Sequence, residues 1–329
     1  MATVEFGRID QWMLFGGGYY IAEAIRQLQR IGVPAILVSG PRHLDGLLEL
    51  DHEAVTLRSW AARHQAEIVE TEKATSDERV LSRITPSTFG FSVGAPWIFK
   101  PAFIERFGPR LVNSHGTRLP DDRGGAGFSW RIMRGDRQGM FVLHQIDGGI
   151  DTGAILVADG FHIPEGCRTP ADYTAHTVKI GSSKLKAFME KVQTAGSSFE
   201  ALGQPEYLSK YWPRLDTEVH GWIDWSWSAA DIDRFICAFD EPYAGASTML
   251  GQERMRLKSS SLILNDGDFH PFQYGQIYRV SDDAVFVAAN GGALRIGRSI
   301  GGMPVIGDRF HTPTAKLDEA RSTRARFSA

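Results

Sequence analysis

Cysteine is scarce in this 329-residue sequence, which holds only Cys167 and Cys237. Two widely spaced thiols give neither a disulfide framework nor metal-ligand spacing, which excludes the small disulfide-stapled class. The first residues, Met1 to Phe6, lack the basic region and apolar block of a signal peptide, so a reducing, cytoplasmic setting is expected. No apolar run approaches the ~18 residues of a membrane helix, and no membrane partner is expected. An excess of positive charge is missing too. The net charge is −3, and residues 210–329 hold 14 Lys and Arg against 15 Asp and Glu. That composition offers no general attraction for nucleic acid. There is no internal repeat and no low-complexity stretch. What is present is a hydrophobic share of 43%, ordinary for a globular chain with room for two domains.

In chain order, residues 11–18 read as a buried strand running into three glycines. Tyr19 to Ile31 has helical periodicity, and Val33 to Val38 reads as the next strand, the opening of a doubly wound α/β domain. The turn lacks G-x-G-x-x-G, so two readings stand: a structural tight turn, or a loop touching an anionic substrate group at a helix N-terminus. Residues 43–86 read as mostly helical connections, with Leu44, Leu47, Leu48 and Leu50 and then Leu57, Trp60, Ala61 and His64 facing the core. Phe89 to Val93 is a strand candidate. Strand candidates over 140–146 and 154–157 follow, then a long helix from about Thr169 to Ala195. These place a catalytic domain at 1–200, a linker at 201–215 and a β-rich domain at 216–329, with a charged, frayed tail from Lys316.

The segment 111–153 concentrates the chemistry. Asn113 and His115 are two positions apart after an apolar lead-in, which puts both on one face of an extended strand. A second apolar run, containing His144, ends in Asp147-Gly148-Gly149-Ile150-Asp151-Thr152-Gly153. An amide, an imidazole and a carboxylate meeting where strands of an α/β sheet end could stabilise an oxyanion and move protons. Ser114 should point away from its neighbours, which disfavours a serine nucleophile. His115, His144 and Asp151 lack close ligand spacing, so no metal is expected.

The triplet Asn113-Ser114-His115, Leu119-Pro120, Arg123-Gly124-Gly125 and Asp147 to Gly153 together resemble the formyltransferases that use 10-formyltetrahydrofolate. That family includes enzymes acting on glycinamide ribonucleotide, on methionyl-tRNA and on amino sugars of surface polysaccharides. Trp222-Ile223-Asp224-Trp225 and Pro242 to Ala246 look like the opening of its C-terminal region. The resemblance implies a Rossmann-like domain followed by an OB-like barrel. It assigns Asn113 to the formyl oxygen, His115 to proton transfer and Asp151 to orienting His115. It also implies that Gly94, Ala95, Pro96, Trp97, Leu119, Gln145, Ile146, Asp147, Gly148 and Gly149 enclose the folate co-substrate.

The resemblance implies a primary amine as acceptor, and the sequence favours one on a sugar nucleotide. Gly17, Gly18 and Tyr19 at a helix start, with Arg118 and Trp130, are the candidate contacts for its phosphates and base. Arg118 also departs from the apolar residue that the family commonly has before Leu-Pro. Methionyl-tRNA, or an amino acid or amine in siderophore-like assembly, is the alternative acceptor. Exposed strands of the second domain suggest a homodimer.

Overall fold

A computed structural model describes residues 2–324. Its core is a seven-stranded sheet in the order 155–162, 138–145, 111–115, 88–93, 11–16, 35–39 and 67–70. The five strands from 111–115 to 67–70 run parallel, and 138–145 and 155–162 add antiparallel at one edge. Trp12 to Phe15, Ala35 to Ser39 and Thr88 to Ser92 are buried without interruption, as expected of a sheet covered on both faces. One cover is the helix Tyr19–Arg30, which buries Ile21, Ala24, Ile25 and Leu28. It packs beside the helix Pro170–Gln193, which starts on a Thr169–Asp172 capping box and buries Leu185, Phe188, Met189 and Val192. The doubly wound expectation is met.

The 43–86 region is not mostly helical. It holds the hairpin Leu47–Leu50 with Glu53–Thr56, and Glu67–Glu70 is the far edge strand of the main sheet. That strand is four residues long with an acid at each end, so no apolar period announces it. Leu44, Leu57, Trp60 and Ala61 are buried as expected, whereas Leu47 is exposed at the hairpin.

Residues 201–215 are tied down. Ser198–Ala201 pairs with Ala2–Glu5, and Tyr211–Trp212 pairs in parallel with Arg123–Gly124. After it comes the helix Ala229–Ala238, packed under a six-stranded antiparallel sheet. That sheet curls until its edge strands meet at a bridge between Gln276 and Arg309. The core of this region is a separate apolar cluster that includes Ile223, Ile236, Leu257, Val287, Leu294 and Phe310. The tail is not frayed where it is described. Thr314–Ser322 is a helix, held by Arg321 to Asp224 at 2.7 Å. Residues 325–329 lie outside the described residues. Among the described residues no helix is long and apolar enough to cross a membrane.

Candidate active site

A cavity of about 530 Å³ opens where the parallel strands end. Strand 88–93 feeds its wall with Gly94 to Phe99, and strand 111–115 delivers Asn113 and His115 to it. Ala95, Trp97, Phe99 and Ile146 make one side apolar. The Trp97 indole is anchored by Nε1 donating to the Glu72 carbonyl at 2.7 Å.

Asp151 reaches this place by an indirect route. Strand 138–145 runs antiparallel to 111–115, so its loop begins beside Leu111, whose carbonyl accepts from the Ile146 N–H at 2.9 Å. The loop then folds back along the sheet to bring Asp151 beside His115. Asp151 sits in the left-handed region (φ 53°), an uncommon conformation for a residue with a side chain. Gln204 holds it there from the strap formed by residues 201–215, donating to the carbonyls of Asp151 (2.9 Å) and Gly153 (2.7 Å).

The three groups converge as a network of four. Asp151 Oδ2 is 3.7 Å from His115 Nδ1, and Oδ1 is 3.5 Å from His144 Nε2. Gly124 N–H donates to Oδ2 at 2.9 Å. Burial works to raise the Asp151 pKa, but His115, His144 and the Gly124 N–H outweigh it and hold the carboxyl well below the usual carboxylate range. A carbonyl only accepts, so the neighbours fix the imidazole protons. His115 Nε2 donates to the Asp122 carbonyl at 2.7 Å, leaving Nδ1 facing Asp151. His144 Nδ1 donates to the Gln145 carbonyl at 2.7 Å, so Nε2 accepts from Asn113 Nδ2 at 3.1 Å. One amide proton of Asn113 is thereby committed and the other is left for a ligand.

His144 has no assigned part in the sequence pattern, where it is one residue in an apolar run. Its place is set by register: it lies directly opposite Asn113 across the antiparallel pair. His115, His144 and Asp151 are also the one set among the described residues whose donor atoms lie close enough for a metal, within 4.8 Å of one another. Here those atoms face each other, Asn113 and backbone groups.

The other expected contacts divide. Gly94, Ala95, Pro96, Trp97, Ile146, Asp147 and Gly149 line the cavity, while Leu119, Gln145 and Gly148 are not among its lining. Leu119 is buried in a small cluster with Val142 and Ile155, and Gln145 donates to the Pro109 carbonyl at 3.2 Å. Gly17 and Gly18 line a smaller adjoining cavity, and the Tyr19 hydroxyl accepts from Glu49 N–H. Arg118 and Trp130 are absent from the lining of both cavities. Arg118 is held by Asp136 and lies 3.8 Å from Asp122. Trp130 Nε1 donates to the Pro213 carbonyl at 2.9 Å, and its ring packs on Trp212. Both bind the site's loops to their surroundings, unlike the acceptor contacts expected of them. Arg42, His43 and Arg214 line the cavity instead.

The family model described as formyl transferase matches residues 21–188, and that of the formyl transferase C-terminal domain matches residues 217–302. Methionyl-tRNA formyltransferase of Acetivibrio thermocellus is 29% identical over 185 residues, 56% of this chain and 57% of that protein. The one from Nitrosomonas europaea is 26% identical over 290 residues, 84% of each. Against the first of these relatives, the chain thus spans under two thirds of the relative's length. Among solved structures, WlaRD, a sugar 3N-formyl transferase seen with dTDP and 5-N-formyl-THF, superposes with a TM-score of 0.63 at 19% identity. That match covers 88% of this chain and 98% of that one. An N-formyltransferase from Helicobacter canadensis, in complex with folinic acid and dTDP-3-aminofucose, gives 0.63 at 17%, covering 89% and 100%. At these identities the two structures speak for the fold.

Proposed function

This chain belongs to the formyl transferase family, and from that premise we propose that it moves a formyl group from 10-formyltetrahydrofolate to a primary amine on a nucleotide-linked amino sugar. The observation that carries the reading is the Asn113–His144–Asp151–His115 network on the wall of one cavity. The cavity fits the donor. Its volume is that of a small-molecule site, and its Ala95–Trp97–Phe99–Ile146 side suits a flat heteroaromatic ring. Bound there, the donor supplies an activated formyl carbon, and the acceptor's amine supplies the nucleophile.

The residues then have separable tasks. The uncommitted Asn113 amide proton donates to the formyl oxygen as that oxygen gains charge. His115 Nδ1 exchanges the proton that must leave the attacking nitrogen and reach the departing one. Asp151 holds that imidazole and stays ionised. His144 accepts from Asn113 and so sets which way the amide points.

The relatives named methionyl-tRNA formyltransferase support a second acceptor, methionyl-tRNA. Against it stands the near-neutral balance of residues 210–329, because a domain gripping tRNA neutralises several phosphates. Incubation with 10-formyltetrahydrofolate and aminated dTDP-, UDP- and GDP-sugars, methionyl-tRNA and ornithine derivatives separates these readings by which species gains one formyl mass. Asn113→Ala, His115→Asn and Asp151→Asn should each lower turnover by at least ~100-fold. Near-native turnover in His115→Asn would remove the mechanism.

A further inference from the structure

We propose that Arg42, His43 and Arg214 form a subsite for a phosphoryl group, the anionic handle by which the acceptor is held. The inference rests on the acceptor reading above only for whose phosphoryl group it is.

Two segments far apart in the chain bring these groups together. Arg42 and His43 lie on the short helix Pro41–Leu44, and Arg214 follows the Tyr211–Trp212 strand in the strap. The His43 ring lies against the β-to-α glycine turn. A side chain at Gly17 would meet His43 Cβ at 2.8 Å, so only glycine lets the helix approach this closely. Arg214 abuts Gly125, where an added Cβ would lie 3.1 Å from Arg214 Cα. Gly125 adjoins Gly124, whose N–H binds Asp151, so Arg214 stands one residue from the proton-transfer network. The nearness of the two arginines to His43 is felt electrostatically. Burial first, and then Arg42 and Arg214, push the His43 pKa down.

No carboxylate answers this charge. Among the described residues the only acids lining the cavity are Asp147 and Asp151. Asp151 is engaged by two imidazoles, and Asp147 accepts from Gly149 N–H and the Thr152 hydroxyl. The acids nearest in sequence are engaged elsewhere: Asp45 is paired with Arg58 at 2.8 Å, and Asp216 accepts from the Glu218 N–H at 2.8 Å. Like charges gathered on a cavity wall cost free energy that a bound anion would recover, and guanidinium forks match phosphate oxygens in pairs. Arg42, His43 and Gly94 also border the smaller cavity of about 230 Å³ beneath Gly17 and Gly18. There the helix Tyr19–Arg30 begins with no side-chain cap and no acid in its first turn. An extended anion such as a diphosphate can therefore span from Arg214 toward that turn.

The carboxylates of the folate's glutamate tail are the other source of the same chemistry. Calorimetric titration of the full chain with pyrophosphate, with dTDP and separately with 5-formyltetrahydrofolate distinguishes them. We expect pyrophosphate and dTDP to bind, and Arg42→Ala and Arg214→Ala each to weaken both by about ten- to a hundredfold. Binding of 5-formyltetrahydrofolate should stay within about twofold. The proposal is overturned if neither phosphate compound binds the native chain. It also falls if the double variant binds them as the native chain does, or if the loss falls on 5-formyltetrahydrofolate instead. Pyrophosphate binding that disappears with the two arginines supports the subsite even if no sugar nucleotide is formylated, so the acceptor reading fails separately.

Discussion

Two groups of arginines stand near the site, one around the loop that holds His115 and the other around His43, and their surroundings differ in kind. On one side Arg118 and Arg134 surround the buried Asp122, with Arg118 also held by Asp136. The Asp122 side chain is 2% exposed, and its carbonyl takes the His115 Nε2 proton. On the other side Arg42 and Arg214 face an open cavity and the partly buried His43, with no acid between them. Paired charge here is scaffold, because the Arg134–Asp122 and Arg118–Asp136 pairs fix the loop that aims His115, although Arg118 Nε and Asp122 Oδ2 themselves make no hydrogen bond. Unpaired charge on a cavity wall is available to a ligand, because no acid of the protein competes for its donors. Nearness to a motif in sequence says little about which of the two a given arginine will be.

The sharpest way to break the comparison is to remove the acid from the paired side. Asp122→Ala leaves two guanidinium groups without their shared partner in a partly buried place. It should cost about 3 kcal/mol, the lower end of what breaking a buried pair costs because both arginines keep some solvent contact. Urea denaturation followed by tryptophan fluorescence measures it. A cost below about 1 kcal/mol would mean that the loop does not depend on that cluster. Next in size is Asp151→Asn, at about 2 kcal/mol near neutral pH from the loss of charged hydrogen bonds. Its pH dependence has a definite sign. The folded-state pKa of Asp151 is depressed, so its stabilisation is fully present above the ordinary carboxylate value of about 3.9 and lost as pH falls through the folded value. The stabilities of the native chain and Asp151→Asn should therefore begin to approach each other below about pH 4 and converge only as pH falls towards the depressed folded value. Curves that stay parallel throughout would show that the carboxylate's charge does not support the fold.

A smaller effect is expected at Gln204, and it bears on how much of the site could be seen in the sequence. Asn113 and His115 were legible from residue type and short spacing, whereas Asp151 was singled out only by the resemblance of the Asp147 to Gly153 segment to the formyltransferases. Most strands around them were legible from apolar runs. Gln204 was not, since a lone glutamine in a segment rich in Gly, Pro and Ser has the composition of a linker. Only the fold shows that its amide spans the carbonyls of Asp151 and Gly153. His144 was hidden for a related reason, because cross-strand register is not written in either strand alone. Arg118 misled in the opposite direction: it stands before Leu119-Pro120 in sequence yet is bound to Asp136 in space. Gln204→Ala should cost about 1 kcal/mol of stability and lower turnover by roughly tenfold, by releasing the Asp151 loop from its left-handed turn. Activity should recover in Gln204→Asn only if the shorter amide still spans both carbonyls, so a native rate in Gln204→Ala would count against a strap that positions the carboxylate.

The smallest expected change tests the unpaired side directly. Arg42 is exposed and Arg214 only partly buried, and neither has an acidic partner in the cavity, so replacing Arg42 by alanine removes a charge that the fold does not use. In the absence of ligand, Arg42→Ala should change stability by less than about 0.5 kcal/mol, and any change should be favourable because repulsion from His43 and Arg214 is relieved. Arg118→Ala, made in parallel, should cost about 1 kcal/mol, since it removes the guanidinium held by Asp136 and leaves Asp122 to Arg134 alone. The difference between the two variants is the informative quantity, because both delete one arginine near the same site, one lining the cavity and one behind it. Adding pyrophosphate should raise the thermal midpoint of the native chain and of Arg118→Ala while leaving that of Arg42→Ala nearly unmoved, since a ligand stabilises only the form that binds it. Equal costs for the two deletions, or equal responses to pyrophosphate, would erase the distinction between scaffold charge and ligand-ready charge on which the anion subsite depends.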